Sequence, residues 1–182
     1  PALALTYSDE GMSGCSRKFH QWARLHKLAN GNTPRKILLN SWEGVYFDIN
    51  EQGMDQMMGD IAAMGGELFV MDDGWFGTRN DDTQALGDWV INPKKLPHGL
   101  DGLQKRLRAL GLDFGIWVEP EMVSENSALF RAHPDWAVRQ PGRTPCLGRN
   151  QLVLDLCRKE VREYLVDAMT RVFSAAEISY VK

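Results

Sequence analysis

The sequence predicts an α/β fold: four parallel strands wound with helices, the N-terminal half of a (β/α)8 barrel. Three observations predict it. Short apolar strand-like runs alternate with segments of helical period along the 182 residues. Strand–helix–strand order implies parallel strands joined by right-handed crossovers. The segments after the strands are long and carry Asp, Glu, Trp and Arg, and in a barrel such loops build the active-site face. A doubly wound open sheet competes with this reading. No Gly-x-Gly-x-x-Gly follows a strand, which weighs against its dinucleotide-binding form.

The elements follow in order. Residues 1–36 read as a tail of a preceding domain and a linker, with a strand over Leu3 to Tyr7 and a helix over Ser16 to Leu28. Residues 37–182 read as the truncated barrel. Ile37 to Asn40 is a short buried strand. Met57, Met58, Ile61 and Met64 recur at helical spacing, so Asp55 to Met64 is a helix, stopped by Gly65-Gly66. Glu67 to Met71 is the next strand. A polar loop rich in Gly, Asn and Asp runs from Gly74 to about Pro97. Leu100, Leu103, Leu107 and Leu110 mark an amphipathic helix that Gly111 ends. Asp113 to Val118 is the third strand, and a long excursion runs from Glu119 to Gln151. Leu152 to Leu154 is short and strand-like. Lys159 to Phe173 is a helix, and Ile178 to Lys182 begins the fourth barrel strand.

Composition narrows the function classes. Hydrophobic residues are 43% of the chain, enough for a buried core. A net charge of −3 with scattered basic residues gives no electrostatic case for nucleic acid or a membrane surface. Apolar runs such as Leu68 to Met71 are too short to span a bilayer. Cys15, Cys146 and Cys157 have no metal-ligand spacing and fit a reducing compartment, so cytoplasmic localisation is the expectation. His20, His26, His98 and His133 form no ligand pair. A solvated loop is a better reading of Asp81, Asp82 and Asp88 than a cation site, so no metal is expected. Six tryptophans are many for this length, and aromatic faces stack on the apolar faces of sugars as well as filling cores. Both ends, Pro1 without an initiator Met and Lys182 within an apolar run, read as cuts in a longer chain.

The candidate site residues sit at strand ends. Asp72-Asp73-Gly74-Trp75-Phe76 follows the second strand, and two carboxylates there can accept hydrogen bonds from one polyol. The alternative is a solvated Asp-Gly turn. Trp117 ends the third strand and is placed to wall a sugar. Glu119 and Glu121 share a face and suggest the carboxylate pair of glycoside hydrolysis, about 5 Å apart in retaining enzymes. The alternative, ordering the loop through an ion pair, is preferred. Arg149 in Gly-Arg-Asn is either a fork for hydroxyls or a surface turn. Trp42 after the first strand faces either ligand or core, and Lys182 ends the fourth strand.

Together these motifs resemble the α-galactosidases of glycoside hydrolase family 36, mainly of bacterial type. The matching stretches are ILLNSWEGVYFD, ELFVMDDGWFGTRNDD, LGDWVINPKKLPHGL, GLDFGIWVEPEMVS, HPDW, PGR, LGRNQLVLDL and ISYVK. YSDEGMSG is similar to the family's exit from an N-terminal β-sandwich. The resemblance implies that Asp72 and Asp73 bind hydroxyls of a terminal galactose. It implies that Arg149 and Lys182 bind others and that Trp42 and Trp117 line the apolar side. The implied reaction is retaining cleavage of terminal α-D-galactosides of the melibiose and raffinose type, without a cofactor. The implied partners are α-galactoside oligosaccharides, not nucleic acid or membrane, and a homo-oligomeric parent is left open. In the family the Lys matching Lys182 is followed by Trp-Asp-Met-Asn, whose Asp is the nucleophile, and the acid/base Asp lies further on. The resemblance therefore gives Glu119 and Glu121 no acid/base role and places no catalytic residue within the 182. The chain alone is expected to be inactive and to fold poorly. A raffinose-type α-galactosyl transferase and a non-catalytic sugar-binding domain are the alternatives.

Overall fold

The computed structural model describes residues 3–140, 142–145 and 147–182. Pro141 of the PGR stretch and Cys146 lie outside the described residues. The chain divides into two compact units, Pro1–Arg35 and Lys36–Lys182.

In the first unit, helix α1 spans Gly11–His26. Arg24 and His26 lie in its last turn, where cations meet the negative end of the helix dipole. The helix starts five residues before the expected Ser16. The strand expected over Leu3 to Tyr7 does not form. Leu3, Leu5 and Tyr7 are about four-fifths exposed. Their alternation is strand-like, but a strand exists only when another pairs with it.

In the second unit the elements are β1 (Leu38–Asn40), the short α2 (Trp42–Val45), α3 (Glu51–Ala63), β2 (Leu68–Met71), α4 (Gly99–Ala109), β3 (Asp113–Ile116), β4 (Met122–Ser124), α5 (Ala128–Ala132), a 3₁₀ turn (Pro134–Trp136), β5 (Gln151–Val153), α6 (Lys159–Ser174) and β6 (Tyr180–Val181). Helix α3 begins four residues earlier than its apolar spacing indicates, because Asn50 caps it: the Gly53 N–H donates to the Asn50 side chain at 2.8 Å. Gly111 stands at φ 72°, a left-handed residue just past α4.

The strands β1, β2, β3 and β6 form one parallel sheet in that order. Its register aligns Asn40, Val70, Gly115 and Tyr180 in one row, and Leu39, Phe69 and Phe114 in the row before. Side chains alternate between faces, so these two rows lie on opposite sides. The face carrying Phe69, Met71, Phe114 and Ile116 packs on Met54, Met58 and Ile61 of α3, Leu100, Leu103 and Leu107 of α4, and Ala168 and Val172 of α6. On the opposite face, Leu38 and Tyr180 remain about two-fifths exposed. Gly115 sits in this face because a Cβ there would come within 2.8 Å of the Val70 side chain and 3.1 Å of the Tyr180 ring.

The short strand expected at Leu152 is present, over Gln151–Val153. It forms β5, antiparallel to β4 and outside the main sheet. Val123, Leu129, Trp136, Leu152, Leu154, Val161 and Leu165 make a second core beneath this hairpin. The polar loop from Gly74 to Pro97 also has a buried apolar side. Trp75, Phe76, Leu86, Trp89 and Leu96 are all buried, and Phe76 bridges Ile91.

Replacing Phe69, fully buried, with Ala is expected to cost about 3–5 kcal/mol in urea denaturation, through lost burial and a residual cavity. Val153→Ala, at a half-exposed site, is expected to stay within about 0.5 kcal/mol of wild type. Equal losses would show that the core is not centred on the helix-facing side of the sheet.

Candidate active site

The parallel register decides which residues meet. Asp72 lies two residues beyond Val70, Trp117 two beyond Gly115 and Lys182 two beyond Tyr180, so all three follow the row that starts at Asn40. The strand ends stay in step beyond the assigned strands. Trp117 N–H donates to the Met71 carbonyl at 2.9 Å, and Val118 N–H to the Lys182 carbonyl at 3.0 Å.

Asp72 is the centre of this row. Its Oδ2 accepts from Asn40 Nδ2 at 2.6 Å and from Lys182 Nζ at 2.7 Å. Its Oδ1 accepts from the Asp73 N–H at 2.9 Å, and its own N–H donates to the Ser41 hydroxyl at 3.0 Å. Asp72 is 3% exposed, whereas the Lys182 side chain is 47% exposed.

Asp73 turns the other way. Arg79 Nε donates to its Oδ1 at 3.0 Å and Nη2 to its Oδ2 at 2.9 Å, with both residues almost completely buried. The third guanidinium nitrogen, Nη1, donates to the Gln84 carbonyl at 3.0 Å, and the guanidinium lies 5.3 Å from the Phe47 ring centre. Lys95 Nζ donates to the carbonyls of Phe47, Gly74 and Arg79 at 2.8, 2.8 and 2.9 Å. Burial holds the Lys95 ammonium below the usual lysine pKa, against the opposing pull of Asp48 and Asp73. Gly74 stands at φ 111°, and a Cβ there would meet the Phe47 backbone at 3.0 Å, so glycine is needed for the turn.

The aromatic residues separate into two groups. Trp117 packs with Phe76 and Trp89, and its carbonyl accepts from Trp75 Nε1 at 3.0 Å. Trp42, in α2, meets Tyr46 and Phe47 edge-on, and the Arg149 guanidinium lies 5.8 Å from its ring centre. Arg149 and Asn150 are both left-handed, at φ 50° and 60°, an uncommon pair of non-glycine residues. Asn150 donates to Asp82 at 3.2 Å and Gln151 to Glu119 at 3.0 Å, fastening this turn to two neighbouring segments.

Glu119 and Glu121 have different partners. Glu119 accepts from Gln151, while Glu121 holds Leu154 through its backbone carbonyl. Asp81 binds Thr83 and Gln84, and Asp88 accepts from the N–H groups of Ala128 and Leu129 at the start of α5. Sequence reasoning missed Asn40, Arg79 and Lys95. Asn40 was readable as the strand residue in register with Val70. Arg79 and Lys95 carried no signal, because their partners are backbone carbonyls and a carboxylate brought close only by the loop's fold.

The Melibiase family profile matches residues 1–182. The chain belongs to this family. Among Melibiase relatives, α-galactosidase AgaA of Geobacillus stearothermophilus is 49% identical over 185 residues, which cover 100% of this chain and 25% of that protein. α-Galactosidase C of Emericella nidulans is 45% identical over 195 residues, covering 100% of this chain and 26% of its own. A variant of AgaA solved with raffinose superposes with a TM-score of 0.92 over 97% of this chain and 25% of the other, at 49% identity. The Thermus thermophilus α-galactosidase TtGalA, solved with p-nitrophenyl α-D-galactopyranoside, superposes with a TM-score of 0.71 at 30% identity, over 90% of this chain and 33% of the other. The chain spans about a quarter of the length of the curated relatives it matches.

Glu119 generates a pH prediction. Burial is the largest influence on it and raises its pKa; Gln151 and Arg149 pull it down, and Glu121 and Asp73 push it up, for a net rise. A raised carboxylate pKa favours the folded state below the unfolded pKa of about 4.3, and that contribution is lost as pH rises through the folded value. Glu119→Gln keeps an acceptor for Gln151 and removes the charge. It is expected to raise the melting temperature modestly at pH 7.5 and to have less effect at pH 4.5. A larger gain at the acid end would contradict this account.

Proposed function

We propose that this chain forms one wall of the active site of a retaining α-galactosidase acting on terminal α-D-galactosides of the raffinose and melibiose type. The observation that carries the reading is the strand-end row of Asp72, Trp117 and Lys182 beside Trp42 and Arg149, in a chain 49% identical to AgaA, of which variants were solved with raffinose and stachyose. The four parallel strands are the first four of a (β/α)8 barrel. The incompletely covered face with Leu38 and Tyr180 is its interior, and residues 1–36 are the exit from an N-terminal β-sandwich. This fits the exposure of that face and the similarity to the longer relatives.

In this reading the wall recognises the sugar and leaves bond cleavage to residues outside the 182. An ionised carboxylate has about four acceptor positions. Asp72 commits three to Asn40, Lys182 and the Asp73 N–H, leaving one for a sugar hydroxyl. Asp73 commits two to Arg79 and keeps two. Lys182 has three donor hydrogens and one partner among the described residues, so a hydroxyl can bridge Lys182 and Asp72. Trp42 and Trp117 offer ring faces to the sugar's C–H groups, and Arg149 carries a fork of donors over Trp42. Covalent retention needs a nucleophile and an acid/base group. The carboxylates of this wall are bound to Lys182, Arg79 and Gln151, which suits recognition.

Asp72→Asn in the longer protein is expected to lower kcat/KM for a nitrophenyl α-galactoside roughly 30- to 1000-fold, the value of a charge-assisted bond of about 2–4 kcal/mol. The 182-residue chain by itself is expected to release no nitrophenol. Turnover by the pure chain, or an Asp72→Asn enzyme with wild-type kinetics, would overturn the proposal. Product analysis separates hydrolysis from galactosyl transfer.

A further inference from the structure

We infer that Arg79 is a positioning residue of this site: it sets the direction in which Asp73 presents its free lone pairs to one hydroxyl of the galactoside. The inference rests on the galactoside reading above. It goes beyond it by assigning a role to a residue that touches no sugar.

The geometry carries it. The carboxylate of Asp73 can rotate about its last torsion unless something fixes both oxygens, because that torsion is broad and intrinsically two-fold. Arg79 fixes both, with Nε on Oδ1 and Nη2 on Oδ2 at 3.0 and 2.9 Å. A planar fork imposes coplanarity, which a single ammonium cannot do. Arg79 is itself immobilised. Its Nη1 is tied to the Gln84 carbonyl, its plane lies by the Phe47 ring, and its own carbonyl accepts from Lys95. Lys95 draws the Phe47, Gly74 and Arg79 carbonyls to one point, so the turn bearing Asp73 and the loop bearing Arg79 share one anchor. Arg79 is fully buried and Asp73 nearly so. An exposed ion pair would exchange with water and hold no direction. This one is buried and bidentate, and its two remaining acceptor positions point where the fork leaves them.

The test uses the longer protein and p-nitrophenyl α-galactoside, together with its 2-, 4- and 6-deoxy analogues. Each analogue deletes one hydroxyl, and its penalty in kcat/KM is measured in wild type, Asp73→Asn, Arg79→Gln and Arg79→Lys. Deleting the hydroxyl that Asp73 reads is expected to cost the wild type at least ~10-fold, because it leaves a buried acceptor unpaired. In Asp73→Asn and in both Arg79 variants that same penalty is expected to fall to within about 3-fold, while the penalties for the other hydroxyls stay as in wild type. Arg79→Lys is expected to retain folding, measured by its melting temperature, without regaining the hydroxyl-selective penalty. Its compact charge offsets the buried carboxylate but lacks the fork. A purely structural role would lower activity on every analogue in proportion. Unchanged penalties in Arg79→Lys and Arg79→Gln, with the penalty lost only in Asp73→Asn, would overturn the positioning role alone. A wild-type protein that turns over no α-galactoside would overturn both readings.

Discussion

The carboxylate of Asp72 binds three segments that are far apart in sequence. Asn40 ends the first strand, Asp72 follows the second and Lys182 follows the last, and Asn40 and Lys182 both donate to the Asp72 Oδ2. A carboxylate 3% exposed is unfavourable unless donors surround it. Here the donors come from other strands of the same sheet, so their satisfaction depends on register. A shift of one residue in any strand would send Asn40 or Lys182 to the opposite face and leave the charge unpaired. The polar row at the strand ends therefore specifies alignment, while the apolar face beneath supplies most of the burial through Phe69, Phe114 and the helices.

Asp73 shows the same physics used differently. Both carboxylates are buried, but Asp72 is held by the half-exposed Lys182, whereas Asp73 is held by the buried Arg79 in a loop that also buries Trp75, Phe76 and Trp89. That loop holds its shape by gathering backbone carbonyls around Lys95 and by bringing Arg79 into the interior. Two adjacent aspartates thus sit in unlike settings. One joins the ends of separate strands, and the other is held on both oxygens by a guanidinium fork.

Much of this was legible in the sequence. The apolar runs at Leu68 and Phe114 and the heptad-like leucines from Leu100 gave the parallel sheet and its helices, because burial imposes a period on such segments. The strand-end row was legible by position, since Asp72, Trp117 and Lys182 stand directly after strands. Leu3 to Tyr7 misled because alternation indicates strand propensity, whereas a strand also needs a partner. Leu152 to Leu154 was legible as a short strand, but not its partner: it pairs with Met122 to Ser124, and Leu152 and Leu154 fill a second core. The Gly74 to Pro97 segment read as a polar loop from its Gly, Asn and Asp content, which gave no sign that its aromatics are buried. Arg79 and Lys95 were invisible because a basic residue in a polar loop looks the same whether its partner is water or a buried carbonyl.

The central claim is that the strand-end row containing Asp72 and Lys182 receives a terminal galactose. The most direct measurement is a crystal structure of the longer protein with 1-deoxygalactonojirimycin, a galactose-shaped ligand also found in a solved AgaA relative. The account predicts hydroxyls of the ligand within hydrogen-bond distance of both Asp72 and Lys182, with Trp117 against its apolar side. A ligand bound elsewhere, with no hydroxyl near either residue, would contradict it.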